Sequence, residues 1–161
     1  MSKNLVAYFS ATGITKGVAE NLAKAANADL YEIKPLVPYS EADLNWMDKT
    51  ARSTIEMKDR NSRPEIVDDK LSVDKYDTIY LGFPIWWYYA PTIINTFLEK
   101  HDFSNKKIIL FATSGGSRFG GAVINLKNSV SETTEIIEGE IFNEHPTVED
   151  LKDWLKLAVK Q

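Results

Sequence analysis

The chain of 161 residues contains no cysteine. Disulfides, thiolate nucleophiles and cysteine-held zinc or iron–sulfur centres are thereby excluded, and the redox compartment stays open. Histidine is nearly absent as well: His101 and His145 are the only two, and neither lies in the loops considered below. No apolar run approaches the roughly 20 residues that cross a bilayer. No basic and apolar leader precedes Lys3, so a cytoplasmic setting is expected. Basic excess is missing too. Lys and Arg number 19 against 23 Asp and Glu, giving a formal net charge of −4 and no basic stripe for nucleic acid. Neither nucleic acid nor membrane is expected as a partner. Repeats and linkers are likewise absent, and the length suits one domain over 1–161.

What is present is a generous supply of aromatics, including four Trp and seven Tyr, within an ordinary 43% of apolar residues. Acidity is concentrated late: between Ser131 and Asp150 there are seven Asp or Glu and no Lys or Arg. That stretch reads as a solvated acidic face, with docking of a basic partner as the alternative.

Short apolar runs without polar alternation mark buried parallel strands at Leu5–Phe9, Tyr76–Leu81 and Lys107–Thr113. Asp29–Ile33 and Glu135–Phe142 supply two more strand candidates. Helical spacing appears over 14–26, over 91–99 after the turn-setting Pro91, more weakly over 123–130, and over 147–159. Thr147 is a plausible N-cap, with Asp150 three residues on. The stretch 38–75 departs from this pattern. Glu41–Met57 could be helical, whereas Arg60–Asp74 is polar and irregular, a surface excursion or a partner or substrate loop. Strands alternating with helices imply an α/β fold with a doubly wound parallel sheet and helices on both faces.

In such a sheet, ligands bind outside the carboxyl ends of the strands. Three loops leave those ends with unusual compositions. Ser10-Ala11-Thr12-Gly13-Ile14-Thr15 offers three hydroxyls and a glycine between strand and helix, a geometry that cradles phosphate on neutral donors. It has neither Walker nor dinucleotide glycine spacing. Pro84-Ile85-Trp86-Trp87-Tyr88-Tyr89 places four consecutive aromatics at the sheet edge, where at least one Trp can stack on a planar ring. Thr113-Ser114-Gly115-Gly116-Ser117 opens a segment with four glycines between 115 and 121, where backbone can read ring edges at close range. Phosphate, ring face and ring edge are thus divided among three loops.

These motifs, Ser10-x-Thr12-Gly13-x-Thr15, Gly82-Phe83-Pro84-Ile85-Trp86-Trp87 and Thr113-Ser114-Gly115-Gly116-Ser117, resemble the flavodoxin family, in its subgroup of FMN reductases. The resemblance covers nearly the whole chain. It implies a five-stranded sheet of order 2-1-3-4-5 and non-covalently bound FMN. By that likeness, Ser10, Ala11, Thr12, Gly13, Ile14 and Thr15 would hold the phosphate. Pro84, Ile85, Trp86, Trp87 and Tyr88 would flank the isoalloxazine on one side, and Thr113, Ser114, Gly115 and Gly116 on the other. Electron-shuttling flavodoxins are usually far more acidic and carry a glycine beside the ring, which Phe83–Tyr89 lacks. Two-electron cycling is therefore expected. No catalytic side chain and no metal is assigned, because the cofactor would carry the chemistry. The leading expectation is an FMN-dependent oxidoreductase of quinone-reductase type, moving electrons from NAD(P)H or a reductase to a small or protein acceptor. A non-enzymatic electron carrier is the alternative, and a homodimer is among the open oligomeric states.

Overall fold

The computed structural model describes residues 3–67, 71–114, 118–143 and 145–158. Five parallel strands, β1 (Asn4–Tyr8), β2 (Asp29–Glu32), β3 (Thr78–Pro84), β4 (Lys107–Thr113) and β5 (Glu135–Ile141), form one sheet in the order β2-β1-β3-β4-β5. The helices are α1 (Ile14–Ala26), α2 (Arg52–Lys58), α3 (Thr92–Lys100), α4 (Ala122–Lys127) and α5 (Val148–Ala158).

The three central strands, β1, β3 and β4, are buried on both faces because both faces are covered. Along β1 the side chains alternate: Leu5, Ala7 and Phe9 join the core under α3 and α4, while Val6 and Tyr8 join the core under α1 and α5. Phe97 and Leu98 of α3 and Leu126 of α4 close the first core; Val18 and Leu22 of α1 and Leu151 of α5 close the second. Helix α1 ends at Asn27 in the left-handed region (φ 51°), and Ala28 N–H reaches back to the Ala23 carbonyl at 2.9 Å. The reciprocal cap expected at α5 is present: Thr147 Oγ1 accepts from Asp150 N–H (3.1 Å), and the Asp150 carboxylate accepts from Thr147 N–H (2.9 Å).

The excursion differs from the sequence expectation. Among its described residues helix is confined to Arg52–Lys58, and residues 41–50 are mostly turns instead. The side-chain oxygens of Asp43, Asn45 and Asp48 accept from the nearby backbone N–H groups of Ser40, Met47 and Thr50, which competes with helix there. The rest is tied down: Pro35 and Ile66 bridge, and Ile66 and Val73 enter the core. At the outer edge, the exposed carboxylates of Glu135, Glu138 and Glu140 lie on β5. Charges there discourage edge-to-edge pairing with a second sheet, a sufficient reason for much of the acidic face.

Four tyrosines are held in their phenol form. Burial first, then the neighbouring Glu32 and Glu20, push Tyr8 up to about 12. Burial and a hydrogen bond to Asp29 (2.6 Å) push Tyr76 up to about 12. Burial raises Tyr80, and burial together with Glu56 raises Tyr39. Each folded-state value lies above that of the unfolded chain. Their stabilisation is therefore complete below about pH 10 and is lost as pH climbs towards 12. Denaturation midpoints measured between those limits are expected to fall steeply; a flat profile would contradict the buried phenols.

Candidate functional site

The strand order reverses between β1 and β3, since β1 is followed by its outer neighbour β2 and the chain then returns to the other side. A crevice opens at such a point, outside the carboxyl ends. Tyr8 is level with Gly82, and Pro84 with Thr113, so the three loops leave the sheet side by side. Phe9 N–H donates to the Gly82 carbonyl (3.0 Å) and Ile85 N–H to the Thr113 carbonyl (2.8 Å), carrying the pairing into the loops.

In the first loop, Ser10 Oγ accepts from Gly13 N–H at 3.0 Å. Gly13 precedes α1 at φ 94°, a conformation that favours glycine, with open space where a side chain would project. Helix α1 has no side-chain cap. The N–H groups of Ile14, Thr15 and Lys16, which a helix start leaves without intrahelical acceptors, find no other acceptor among the described residues. Thr12, Gly13 and Ile14 are exposed. A bound anion would thus meet uncapped donors over an open cradle, and this is the fit of a phosphate to the loop.

Thr15 is placed differently from the other hydroxyls. It is buried, and its Oγ1 lies 2.8 Å from Thr113 Oγ1 at the end of β4. The pair links the first loop to the third. Removing one hydroxyl strands the other, at a cost of about 1–3 kcal/mol, whereas removing both is nearly neutral. In urea melts of the FMN-free protein, Thr15→Val and Thr113→Val should each destabilise. The double variant should lose less than the sum, and strict additivity would deny the coupling.

The aromatic loop is a tight turn. Trp86 N–H donates to the Tyr89 carbonyl (3.0 Å) and Tyr89 N–H to the Trp86 carbonyl (3.1 Å). The two central residues, Trp87 and Tyr88, both have positive φ, 50° and 68°. Such turns ordinarily use Asn-Gly; an L side chain there costs roughly 1–2 kcal/mol each. Strain of this kind concentrates at binding and catalytic sites. The turn divides the aromatics. Trp86 packs inward, edge-on to Phe9 (6.0 Å) and Tyr39 (5.7 Å), while Trp87, Tyr88 and Tyr89 remain 41, 56 and 38% exposed. Trp86 therefore props the turn from beneath, and Trp87 and Tyr88 are left exposed on its outer side.

The third loop is described only in part. Thr113 is buried, and Ser114 N–H donates to Asn143 Oδ1 at 3.0 Å. Gly115 and Gly116 lie outside the described residues. Gly120 and Gly121 serve the neighbouring turn: a side chain on Gly120 would stand 2.5 Å from Tyr88 Cβ, and Gly121 N–H donates to the Tyr88 carbonyl (3.2 Å). Their small size lets the backbone of this segment pack against Tyr88 and Tyr89.

Composition had not marked two supporting residues. Arg60 places its guanidinium over the Tyr89 ring at 4.7 Å and donates to Asn125 Oδ1 at 2.9 Å. Tyr39 rests under Arg52 (3.8 Å to the ring centroid) and donates to Glu56. Both come from the excursion, far in sequence from the turn they support, and no local signal points to either.

An open parallel sheet of this strand order, with a neutral anion cradle and an exposed aromatic turn side by side at its switch point, defines a doubly wound α/β protein of the flavodoxin-like class. The chain belongs to the flavodoxin family, whose model matches residues 3–158. A candidate flavoprotein from Bacteroides uniformis is similar over 96% of this chain and 98% of its own, with 46% identity and a TM-score of 0.90. A flavoprotein from Lactobacillus acidophilus, solved in complex with FMN, shares the fold at 24% identity over 96% of this chain and 99% of its own, with a TM-score of 0.69. NAD(P)H dehydrogenase (quinone) 1 of Cavia porcellus is 26% identical over 117 residues, which are 58% of this chain and 42% of that protein. The chain thus matches less than half the length of this curated relative. No helix among the described residues is long and apolar enough to cross a membrane.

Proposed function

We propose that this chain is an FMN-dependent oxidoreductase that passes electrons from a reduced nicotinamide, or another reduced donor, to a quinone-like or other small acceptor. One observation carries the reading: an uncapped, uncharged anion cradle at the start of α1 stands in register with a strained turn that exposes Trp87 and Tyr88. Membership in the flavodoxin family and the quinone dehydrogenase likeness support it.

FMN, when bound, supplies a carrier that accepts and returns an electron pair. The chain's own part is placement and dielectric. The amides of Ile14 and Thr15, with the exposed Thr12 hydroxyl, would bind the phosphate dianion without a counter-charge. Trp87 and Tyr88 would cover one ring face and exclude water from it. Thr113 and Ser114, held by Thr15 and Asn143, would set the opposite wall. No proton-transferring side chain is needed at the three loops, and neither His101 nor His145 belongs to them.

The test is the visible spectrum of the purified protein with FMN. Flavin absorption that stays with the protein through gel filtration, and bleaches anaerobically on addition of NADH or NADPH, is expected. Colourless protein that ignores micromolar FMN would end the proposal. Bleaching only by a protein reductase, with a rate that collapses as salt screens charge, would favour the carrier.

A further inference from the structure

A cavity adjoins the aromatic turn on the side of the excursion. It is an open cleft of about 320 Å³ lined by Trp46, Thr54, Met57, Trp87 and Tyr89 together with the exposed Lys49 and Lys58. Three properties set it apart. Trp46 is 68% exposed although it is a large apolar side chain, so two indoles face one solvent-filled space. The lining contains two lysines and no carboxylate, in a chain whose net charge is −4. Among the described residues neither lysine has an ion-pair partner, and Asp48, adjacent to Lys49, is turned towards Thr50.

The third property lies in the wall. Thr54 is only 7% exposed, and its Oγ1 has no hydrogen-bond partner. Buried hydroxyls normally have one. A helical threonine exchanges its hydroxyl and methyl by a single χ1 step, so this hydroxyl can be turned to a polar atom in the cavity. Indoles select flat rings, ammonium groups at the rim select an anionic substituent, and an unpaired hydroxyl selects a carbonyl or hydroxyl on the ring.

We infer that this cleft is a binding site for a planar aromatic anion, a ring carrying a carboxylate, sulfonate or phosphate together with a ring oxygen. Binding needs only residues of the excursion and the turn. Its role as the acceptor site rests on the oxidoreductase reading, and the shared Trp87 joins the two sites. A second copy of the chain seated on the patch is the competing occupant, and the bare rim lysines argue against two like-charged surfaces meeting there.

The experiment uses equilibrium dialysis of a naphthoquinone sulfonate and of uncharged menadione, against FMN-loaded and FMN-free protein in parallel, at low and high salt. The sulfonate should bind roughly fivefold more tightly than menadione at low salt, and the preference should vanish at high salt. Lys49→Gln with Lys58→Gln should abolish the preference while leaving menadione unaffected. Trp46→Ala should weaken both probes by roughly tenfold. FMN affinity and melting temperature should be unchanged in all of them, since these side chains are exposed and lie outside the three loops. Equal binding of the two probes, indifference to both sets of substitutions, or variants that change the sedimentation of the protein without changing probe binding, would overturn the assignment. Charge-selective binding by a protein that rejects FMN would keep the cleft and remove the oxidoreductase reading. FMN binding with an inert cleft would do the reverse.

Discussion

Replacing Trp87 by Asn is expected to weaken FMN binding by about 1–3 kcal/mol, a loss of roughly 5- to 150-fold in affinity, while leaving the FMN-free fold as stable as before or slightly more so. Two opposing effects meet at this residue. The exposed indole contributes a flat apolar face to a ligand and little to the core. Its backbone sits at φ 50°, where a bulky side chain is strained and Asn is tolerated. Trp86→Ala should behave oppositely. That side chain makes edge contacts with Phe9 and Tyr39, each worth about 0.5–1.5 kcal/mol, so roughly 1–3 kcal/mol of fold stability should go with it. Flavin fluorescence titration and urea denaturation separate the outcomes. Unchanged FMN affinity in Trp87→Asn would remove the stacking role from this residue.

Gly120→Ala should be the most damaging of the small substitutions at the site. The added methyl would lie 2.5 Å from Tyr88 Cβ and 2.7 Å from the Tyr88 carbonyl oxygen, atoms that no side-chain rotation can move aside. Overpacking costs about 1–3 kcal/mol and the left-handed backbone (φ 53°) about 1–2 more, so a loss of roughly 2–5 kcal/mol is expected. The methyl can be accommodated only by shifting the aromatic turn, so FMN affinity should fall in the same variant although Gly120 is not proposed to touch the cofactor. Gly17→Ala is the control: nothing lies within 4 Å of its added methyl, and in a helix it should stabilise by up to about 1 kcal/mol. A Gly120→Ala protein as stable as its parent would show that the turn is not held by the third loop.

Periodicity located all five strands and four of the helices with ends within three residues, because continuous apolar runs and helical spacing are local consequences of burial. The excursion was legible only as an exception. Its short helix, Arg52–Lys58, is joined to Tyr39 through Glu56, and Arg60 just beyond it reaches the Ala90 carbonyl, contacts between segments distant in sequence. At the site, loop composition singled out hydroxyls, aromatics and glycines as types but not their division of labour. Thr15 looks like Ser10 and Thr12 in sequence, yet it turns into the sheet to meet Thr113. Gly120 and Gly121 show in sequence only as part of a glycine cluster, and packing sets them against Tyr88 and Tyr89.

The linear order of apolar and polar residues was enough to dictate an alternating α/β chain with a parallel sheet and with three chemically distinct loops at one edge. Those features follow from hydrogen bonding and burial over a few neighbouring residues. Which indole points outward, which hydroxyl is already engaged, and where the excursion leaves an aromatic cleft with two bare lysines were decided only when distant segments packed together. Side chains of the same type differ there solely in what the rest of the fold puts against them.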